Sequence, residues 1–571
     1  MKSLKLYLAA ATLVVGALPG FSHACGGFFC QLTPINQASE QIVFRKDGNQ
    51  ITAMIQIQFA GNAEDFSWVV PVPALPDDIL LGSNQTFTDL EIATRPQFNL
   101  ERRGQGCFSQ DVFASPVALE NSADASAESG GVVVEDVRNV GGYEVTTISG
   151  DNADSISQWL MDNNYDLTAN GEALLAPYVE AGMKFVAAKL QQDRGTGSIQ
   201  PLILKYQSDK PVVPIRLTAV AAVEDMGVLV WLLGDARAVP DNYLHVTPNY
   251  TRLDWFNGSQ NAYGSYQQLI TDAMNEAGGQ GFATDYAGRF ENLEDALSSA
   301  SDLEEQLSRL DDSPDPEYLS IVQGIFASDG VVIDVISNAL PLPDGESLFS
   351  YREQQFLVTN YTAAELSAAR SLVDAAIRSE VIAPVQTSVD VLGGNRYMTR
   401  LFTTLSADEM TVDPGFVFNP DMAEQQLDRN ATLNSSCIND ETHWTLQLGE
   451  GTGRNDEVVI DTISPIPFTA PVIEQEASWL IEVTSDAGQP NVTNQRAFTV
   501  ATLGSPGTGV VDPGNTGDGG ITGTGGNSGG ASSANSGCSL GSGTSDPSLL
   551  IVLLTSVLAL CRRRVRSLKR N

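Results

Sequence analysis

Ile51-Thr52-Ala53-Met54-Ile55-Gln56-Ile57-Gln58-Phe59 is the most regular stretch in the chain. Ile51, Ala53, Ile55, Ile57 and Phe59 alternate with Thr52, Met54, Gln56 and Gln58. Successive strand side chains point to opposite faces, so this period of two predicts a strand with one apolar face turned inward. Just upstream stand Ile42-Val43-Phe44 and Asp47-Gly48-Asn49, which predict a partner strand and a glycine-containing hairpin turn. Downstream, Phe66 to Val72 forms a second β run closed by Pro71 and Pro73, whose missing N–H groups cannot donate to a central ladder.

Beyond this nucleus the pattern is mixed. Residues Asn121 to Gly131 are small, polar and acidic and predict a surface loop. Tyr143–Ile148 predicts a strand, and Asp154–Met161 a short helix carrying Ile156, Trp159 and Leu160 on one side. A second helix is expected at Glu172–Ala181, then strands at Lys184–Lys189, Leu202–Tyr206, Ile215–Val223 and Val228–Leu233. Apolar residues at three- and four-residue spacing predict helices at Tyr266–Ala277, Leu293–Leu310, Pro316–Phe326 and Ala363–Arg378. Strand patterns return at Thr442–Leu448, Val458–Ile463, Trp479–Val483 and Phe498–Ala501. The expected class is α+β: a β-rich N-terminal part with mixed α/β elements, a helical middle and a β-rich C-terminal part. In domain terms this reads as 25–260, 261–400 and 401–503.

Both ends of the chain differ from this body. Lys2 and Lys5, the apolar stretch Leu6–Leu18 and Ser22-His23-Ala24 form a secretory signal over residues 1–24, with cleavage expected before Cys25. Residues 504–546 are almost entirely Gly, Ser, Thr and Asn, a composition that buries no core and behaves as a flexible linker with a span of roughly 35 Å. Residues 547–571 hold the apolar run Leu549–Leu560, followed by Arg562, Arg563, Arg564, Arg566, Lys569 and Arg570. The basic end is expected to stay cytoplasmic with the body outside. At about 1.5 Å per residue the run reaches under about 20 Å, short of the roughly 30 Å hydrocarbon core. A processed sorting signal with an apolar helix therefore fits better than a permanent span, and a plain tail anchor is the alternative.

Charge narrows the partners. The chain holds 32 Lys and Arg against 70 Asp and Glu, a net charge of −38. Such a surface repels phosphate backbones and argues against nucleic acid as a partner. Of six cysteines, Cys538 and Cys561 belong to the tail, leaving Cys25, Cys30, Cys107 and Cys437 in the body. In an oxidising compartment an even number suggests disulfides. Three pairings are open, and Cys25 with Cys30 plus Cys107 with Cys437 is preferred because the first closes a short local loop. Four residues separate Cys25 from Cys30, whereas redox dithiols and zinc knuckles commonly have two, so a structural disulfide outranks a redox or metal site.

No catalytic or cofactor motif assembles in the sequence, and no cofactor is expected. His245 and His443 lie far apart without a zinc-binding spacing. Gly278-Gly279-Gln280-Gly281 lacks a following Gly-Lys-Ser/Thr and predicts a helix C-cap and turn. Glu64 and Asp65, adjacent before a strand, point to opposite faces and make poor partners for acid/base or calcium chemistry. Tyr243, Tyr250, Trp255 and Phe256 belong to an aromatic-rich stretch with two readings: core packing, or a ligand surface on which sugar rings or peptide side chains stack.

Two resemblances add to this. Ala24-Cys25-Gly26-Gly27-Phe28-Phe29-Cys30, Ile42-Val43-Phe44 and Ala63-Glu64-Asp65-Phe66-Ser67-Trp68-Val69-Val70-Pro71-Val72-Pro73 resemble the uncharacterised family called domain of unknown function 2330. Gly142-Tyr143-Glu144-Val145, Pro214-Ile215-Arg216-Leu217-Thr218 and Gly279-Gln280-Gly281-Phe282 extend the likeness, which spans roughly Ala24 to Gly288. It implies an exported protein and supplies no catalytic residue. The Gly/Ser spacer with Ser536-Gly537-Cys538, the short apolar helix and the Arg cluster resemble myxobacterial-type C-terminal sorting tails, with rhomboid-processed Gly-Gly tails as the runner-up. That likeness implies export machinery and a C-terminal sorting protease as partners, membrane contact through the tail, and Cys538 as the processing position. The expectation is a cell-envelope protein anchored at the surface by its C-terminus, structural or ligand-binding, with an unidentified ligand. A secreted hydrolase whose site assembles only in three dimensions is the rival.

Overall fold

The computed structural model describes residues 37–503 other than 58–65, 105–132, 166–168, 192–193, 221, 256–257, 291–292, 395, 440, 454–458, 464–475 and 496–500. Outside the described residues fall the expected leader, loop at 121–131, linker and tail, the Glu64-Asp65 pair, and Cys25, Cys30, Cys107, Cys538 and Phe256. The described residues belong to one compact unit of mixed helices and strands.

The hairpin forms as its pattern predicts: β1 (Gln37–Asp47) pairs antiparallel with β2 (Gln50–Gln56), and Asp47 faces Gln50 across a turn in which Gly48 adopts φ +60°. The expectation of a single apolar face does not hold, because Thr52 and Met54 are buried along with Ile51, Ala53 and Ile55. This hairpin lies inside a sheet covered on both sides.

Along the chain follow β3 (Ser67–Val72), β4 (Asp78–Leu81), α1 (Asn84–Thr94), β5 (Gln97–Gly104), β6 (Val133–Val140) and β7 (Tyr143–Ser149). Next come α2 (Ala153–Asp162), α3 (Ala169–Glu180), β8 (Lys184–Leu190), β9 (Leu202–Gln207), α4 (Ile215–Thr218), β10 (Ala222–Gly234), β11 (Arg237–Pro240) and β12 (Leu244–Pro248). α5 (Gly258–Glu276) and β13 (Gly281–Phe290) lead into the helical segment α6 (Ala300–Ser308), α7 (Asp315–Ile325), α8 (Gly330–Ala339), α9 (Gln354–Asn360), α10 (Ala363–Ala376) and α11 (Ala383–Leu392). The chain ends in β14 (Arg396–Leu405), β15 (Phe416–Asn419), β16 (Asp428–Ile438), β17 (Glu441–Leu448), β18 (Val459–Ile463), β19 (Ser478–Val483), β20 (Asn491–Gln495) and β21 (Ala501–Leu503).

Ten strands share one sheet in the order β20-β19-β12-β13-β14-β10-β1-β2-β9-β4. Its centre is β10, which runs parallel to β1 and antiparallel to β14. Val228-Leu229-Val230-Trp231-Leu232-Leu233 is continuously apolar because both faces of this strand are covered. On one face Ile42, Phe44, Val230 and Leu232 pack against Trp68, Val70 and Val186 of a four-stranded sheet ordered β3-β8-β7-β6. Pro71 sits on β3, an edge strand, where its missing N–H costs no central ladder bond. On the other face Val43, Met54 and Trp231 meet Phe87 and Leu90 of α1 and Leu392 of α11. Each fully buried side chain of this kind contributes roughly 1.5–3 kcal/mol.

Strands from all three segments read from the sequence, 25–260, 261–400 and 401–503, pair in that sheet. The helical segment is an insertion between β13 and β14, which are antiparallel neighbours. It has its own core of Tyr318, Leu319, Val332, Ile336, Val373 and Ile377. One sequence expectation is overturned locally: Ile215–Thr218, read as the start of a strand, is the short helix α4. Pro214 precedes it, and Asp413, far along the chain, accepts the Arg216 N–H at 3.0 Å, satisfying a donor that a helix start leaves open. Strand pairing begins only at Ala222. The Gly-rich turn after α5 is a helix cap as expected, with Gly278 and Gly279 at φ +82° and +81° and the Gly279 N–H donating to Met274 O.

Candidate functional site

The one histidine with described surroundings lies in the sheet. β12 carries His245 between β13 and β19, facing Glu482 across an antiparallel register. His245 Nδ1 lies 3.1 Å from Glu482 Oε2, and Nε2 lies 3.0 Å from Thr284 Oγ1 on β13. Arg237 of β11 donates from Nη2 to the same Thr284 oxygen at 3.0 Å, and from Nη1 to the Ala423 carbonyl at 2.5 Å. Arg237, His245, Thr284 and Glu482 are exposed by only 6%, 5%, 8% and 8%.

Burial pushes the His245 imidazole below its usual range, the Arg237 guanidinium adds to that, and Glu482 opposes it. Burial likewise pulls Arg237 down to about 10, which leaves it charged at neutral pH. A neutral ring admits one consistent arrangement of protons. Nδ1–H donates to the Glu482 carboxylate, Nε2 accepts from the Thr284 hydroxyl, and that hydroxyl accepts from Arg237. The order Thr284, His245, Glu482 is that of hydroxyl nucleophile, base and orienting carboxylate. Two features set it apart from a working triad: the Thr284 oxygen already accepts from a guanidinium, and the whole group is shielded from solvent.

The next residue along β13 builds a second buried cluster. Asp285 is the extra residue of a β-bulge, since Thr284 pairs with Leu401 and Tyr286 with Arg400. A bulge re-aims side chains, and Asp285 Oδ2 comes within 3.0 Å of Arg400 Nε. Tyr266 of α5 donates its hydroxyl to Asp285 Oδ1, while Arg429 of β16 donates to the Asp285 carbonyl at 2.7 Å and to the Tyr250 hydroxyl at 3.0 Å. Glu91 of α1 completes the charge balance at 2.6 Å from Arg400 Nη2. Burial raises Asp285 despite the opposing Arg400 charge. These contacts join α1, α5, β13, β14 and β16, so the cluster ties two helices and a five-stranded sheet ordered β21-β18-β17-β16-β5 to the ten-stranded one.

The aromatic stretch resolves to core packing. Tyr243, Tyr250 and Trp255 are exposed by 4%, 3% and 3%. Tyr243 donates to the Val412 carbonyl at 2.7 Å, Trp255 Nε1 donates to the Tyr250 carbonyl at 2.8 Å, and the Tyr250 and Tyr266 rings stack. As a ligand surface these three rings are corrected to interior ones: α5 presents Tyr266, Leu269, Ile270, Ala273 and Met274 on one helical face with Tyr250 and Trp255 packed against it, while Tyr243 packs in the main core beside Phe282. Cys437 on β16 is disulfide-bonded, and it is the one cysteine among the described residues. The side chain of His443 is outside the description. Among the described residues no group of three or more His, Cys, Asp or Glu could hold a metal ion, and no helix is long and apolar enough to cross a membrane.

Sequence reasoning named His245 but not its partners. Thr284, Asp285, Arg400 and Arg429 sit in ordinary strand sequence, and the available signal was only that charged residues interrupt otherwise apolar runs. Fold and site together define an α+β protein whose sheet is cross-linked by buried ionic and hydrogen-bonded groups. The family model described as "Uncharacterized protein conserved in bacteria (DUF2330)" matches residues 19–331, more than half of the chain, and the chain belongs to that family. No curated protein and no solved structure matches it. His245, Thr284 and Asp285 lie in the matched stretch, whereas Glu482, Arg400 and Arg429 lie beyond it.

Proposed function

We propose that this chain is an exported protein displayed at the cell surface through its C-terminus, with a body that binds or scaffolds and does not catalyse. The carrying observation is the order of segments around the body: the leader-like residues 1–24 before it, the Gly/Ser/Thr spacer 504–546 after it, then the short apolar run and arginine cluster. The disulfide at Cys437 belongs to an oxidising compartment and supports export. The closed surroundings of His245 support a body without hydrolytic chemistry. Export machinery and a sorting protease acting near Cys538 are the partners of this reading. Mass spectrometry of both ends of the mature protein tests it. The expected product begins at Cys25 and lacks the residues after Cys538; an intact leader, or an unprocessed C-terminus, overturns it.

A secreted hydrolase is the second reading, favoured by one observation, the Thr284–His245–Glu482 order. Turnover of ester or peptide substrates that is abolished by Thr284→Val in a folded protein would establish it.

A further inference from the structure

A cavity of about 360 Å³ opens where the helical insertion meets the sheet. Its walls come from the start of α1, the loop at Gly197, the segment before α6, the α7–α8 corner and the helix running into α11. Two features show that this junction is built. The backbones of Gly197 and Gly330 touch, so that a Cβ on either would lie 2.2–2.5 Å from the other's Cα. Between α10 and α11 the helix widens into a π turn at Ile377–Ile382, a feature frequent at functional sites. The Glu380 carbonyl within that turn accepts Gln200 Nε2 at 2.6 Å, and the Glu380 carboxylate holds Arg194 through bonds of 2.7 and 2.8 Å.

The lining presents hydrogen-bonding groups that the protein leaves unused. Gln200 borders the cavity, is 6% exposed, and has its amide nitrogen committed to Glu380, while its Oε1, without a partner, is closed off from the open space. Among the described residues the hydroxyls of Thr88, Ser298 and Ser328, on the same cavity, also make no hydrogen bond within the protein. Phe326, Val381 and Val385 add apolar side chains to the lining. Among the described residues no Lys or Arg lines the space, and the one carboxylate there, Asp329, is occupied in accepting the Val331 and Val332 N–H groups at the start of α8.

We propose that this cavity binds a neutral polyhydroxylated ligand the size of a monosaccharide, with its hydroxyls on Thr88, Ser298 and Ser328 and its C–H face on Phe326 and the valines. The volume holds about a dozen non-hydrogen atoms at liquid density, the size of a hexose, and lies at the small end of the range for ligand pockets. A lining without cationic side chains excludes phosphates and uronates, whose charge would be desolvated without compensation. The free sugar and the end residue of a glycan share this chemistry. The inference stands on the cavity and does not depend on where the protein resides.

The test is ligand-observed NMR and calorimetry on the intact chain with a panel of neutral hexoses, N-acetylhexosamines and hexitols. The matching uronic acids serve as charge controls, and short oligosaccharides separate free-sugar from glycan-end recognition. Saturable binding of at least one neutral member is expected. It should weaken about tenfold or more in Thr88→Val/Ser298→Ala, which removes two of the hydroxyl contacts. It should vanish in Ser328→Trp, which fills the space from an exposed position. Unchanged melting temperatures in both variants confirm that the fold is intact. Absence of saturable binding across the panel, binding untouched by both variants, or equal affinity for the uronates overturns the proposal.

Discussion

His245 Nδ1 and Glu482 Oε2 meet at 3.1 Å although 237 positions separate them in the chain. The contact joins β12 to β19, and with Thr284 and Arg237 it fixes a neutral imidazole in one tautomer inside the sheet. Its physical consequence is a pH dependence of folding.

The folded pKa of His245 lies below its unfolded value near 6.5. The unfolded chain therefore takes up a proton first as pH falls. Stability from this group is complete above the unfolded value and is lost as pH drops from there through the folded value. Melting curves from pH 8 to pH 5 should fall on the acid side for the wild type and fall less for His245→Gln, which keeps a donor for Glu482 without titrating. Equal acid slopes in the two proteins would remove His245 from the account.

Glu40 titrates in the opposite sense. It is buried on β1 beside a cavity of about 20 Å³, room for a single water, and burial raises its carboxyl to about 7, with the Thr218 hydroxyl at 3.2 Å opposing the shift. A raised carboxyl stabilises the fold below its unfolded value near 4.5, and that stability is lost as pH rises through about 7. Glu40→Gln should raise the melting temperature by several degrees at pH 8 and leave it nearly unchanged at pH 4. A uniform shift at both pH values would contradict this.

Asp285 and Arg400 form a buried pair whose members depend on each other. Removing one charge strands the other, at a cost of roughly 3–5 kcal/mol. Asp285→Asn and Arg400→Gln should each destabilise by that order in urea unfolding, and the double variant by clearly less than the sum. Additive losses would show that the two side chains do not act together.

Gly330→Ala introduces a Cβ 2.2 Å from the Gly197 Cα. We expect a loss of more than about 2 kcal/mol, and faster proteolysis within the helical insertion. Gly324→Ala, in α7 of the same insertion, meets nothing within 4 Å and should be neutral or stabilising. Similar behaviour of the two variants would disprove the backbone contact.

The partner of Cys437 is open to assignment by register. Ser435 of β16 pairs with Gly104, the last residue of β5, and Cys107 follows three positions later. Non-reducing peptide mapping should recover a Cys107–Cys437 cross-link; a Cys437 peptide joined to Cys25 or Cys30 rules it out.

The amino-acid sequence by itself determined whatever depends on neighbours in the chain. Hydrophobic period set the β1–β2 hairpin, and helical spacing set α2, α5 and α10, because each pattern is local. The leader-like and tail-like ends and the family likeness were legible for the same reason. Local pattern failed at Ile215–Thr218, where a distant Asp413 caps a helix turn, and at β13, whose Gly, Ala and Asp residues carry little strand preference. Tertiary structure alone placed β13 and β14 side by side around a helical insertion, buried both faces of the hairpin, and turned Tyr243, Tyr250 and Trp255 inward. It alone brought His245 to Glu482, Asp285 to Arg400, and Gln200 to a cavity shared with α1 and α8. Such pairings are stable only when water is excluded by elements hundreds of residues apart, and no window of sequence carries that information.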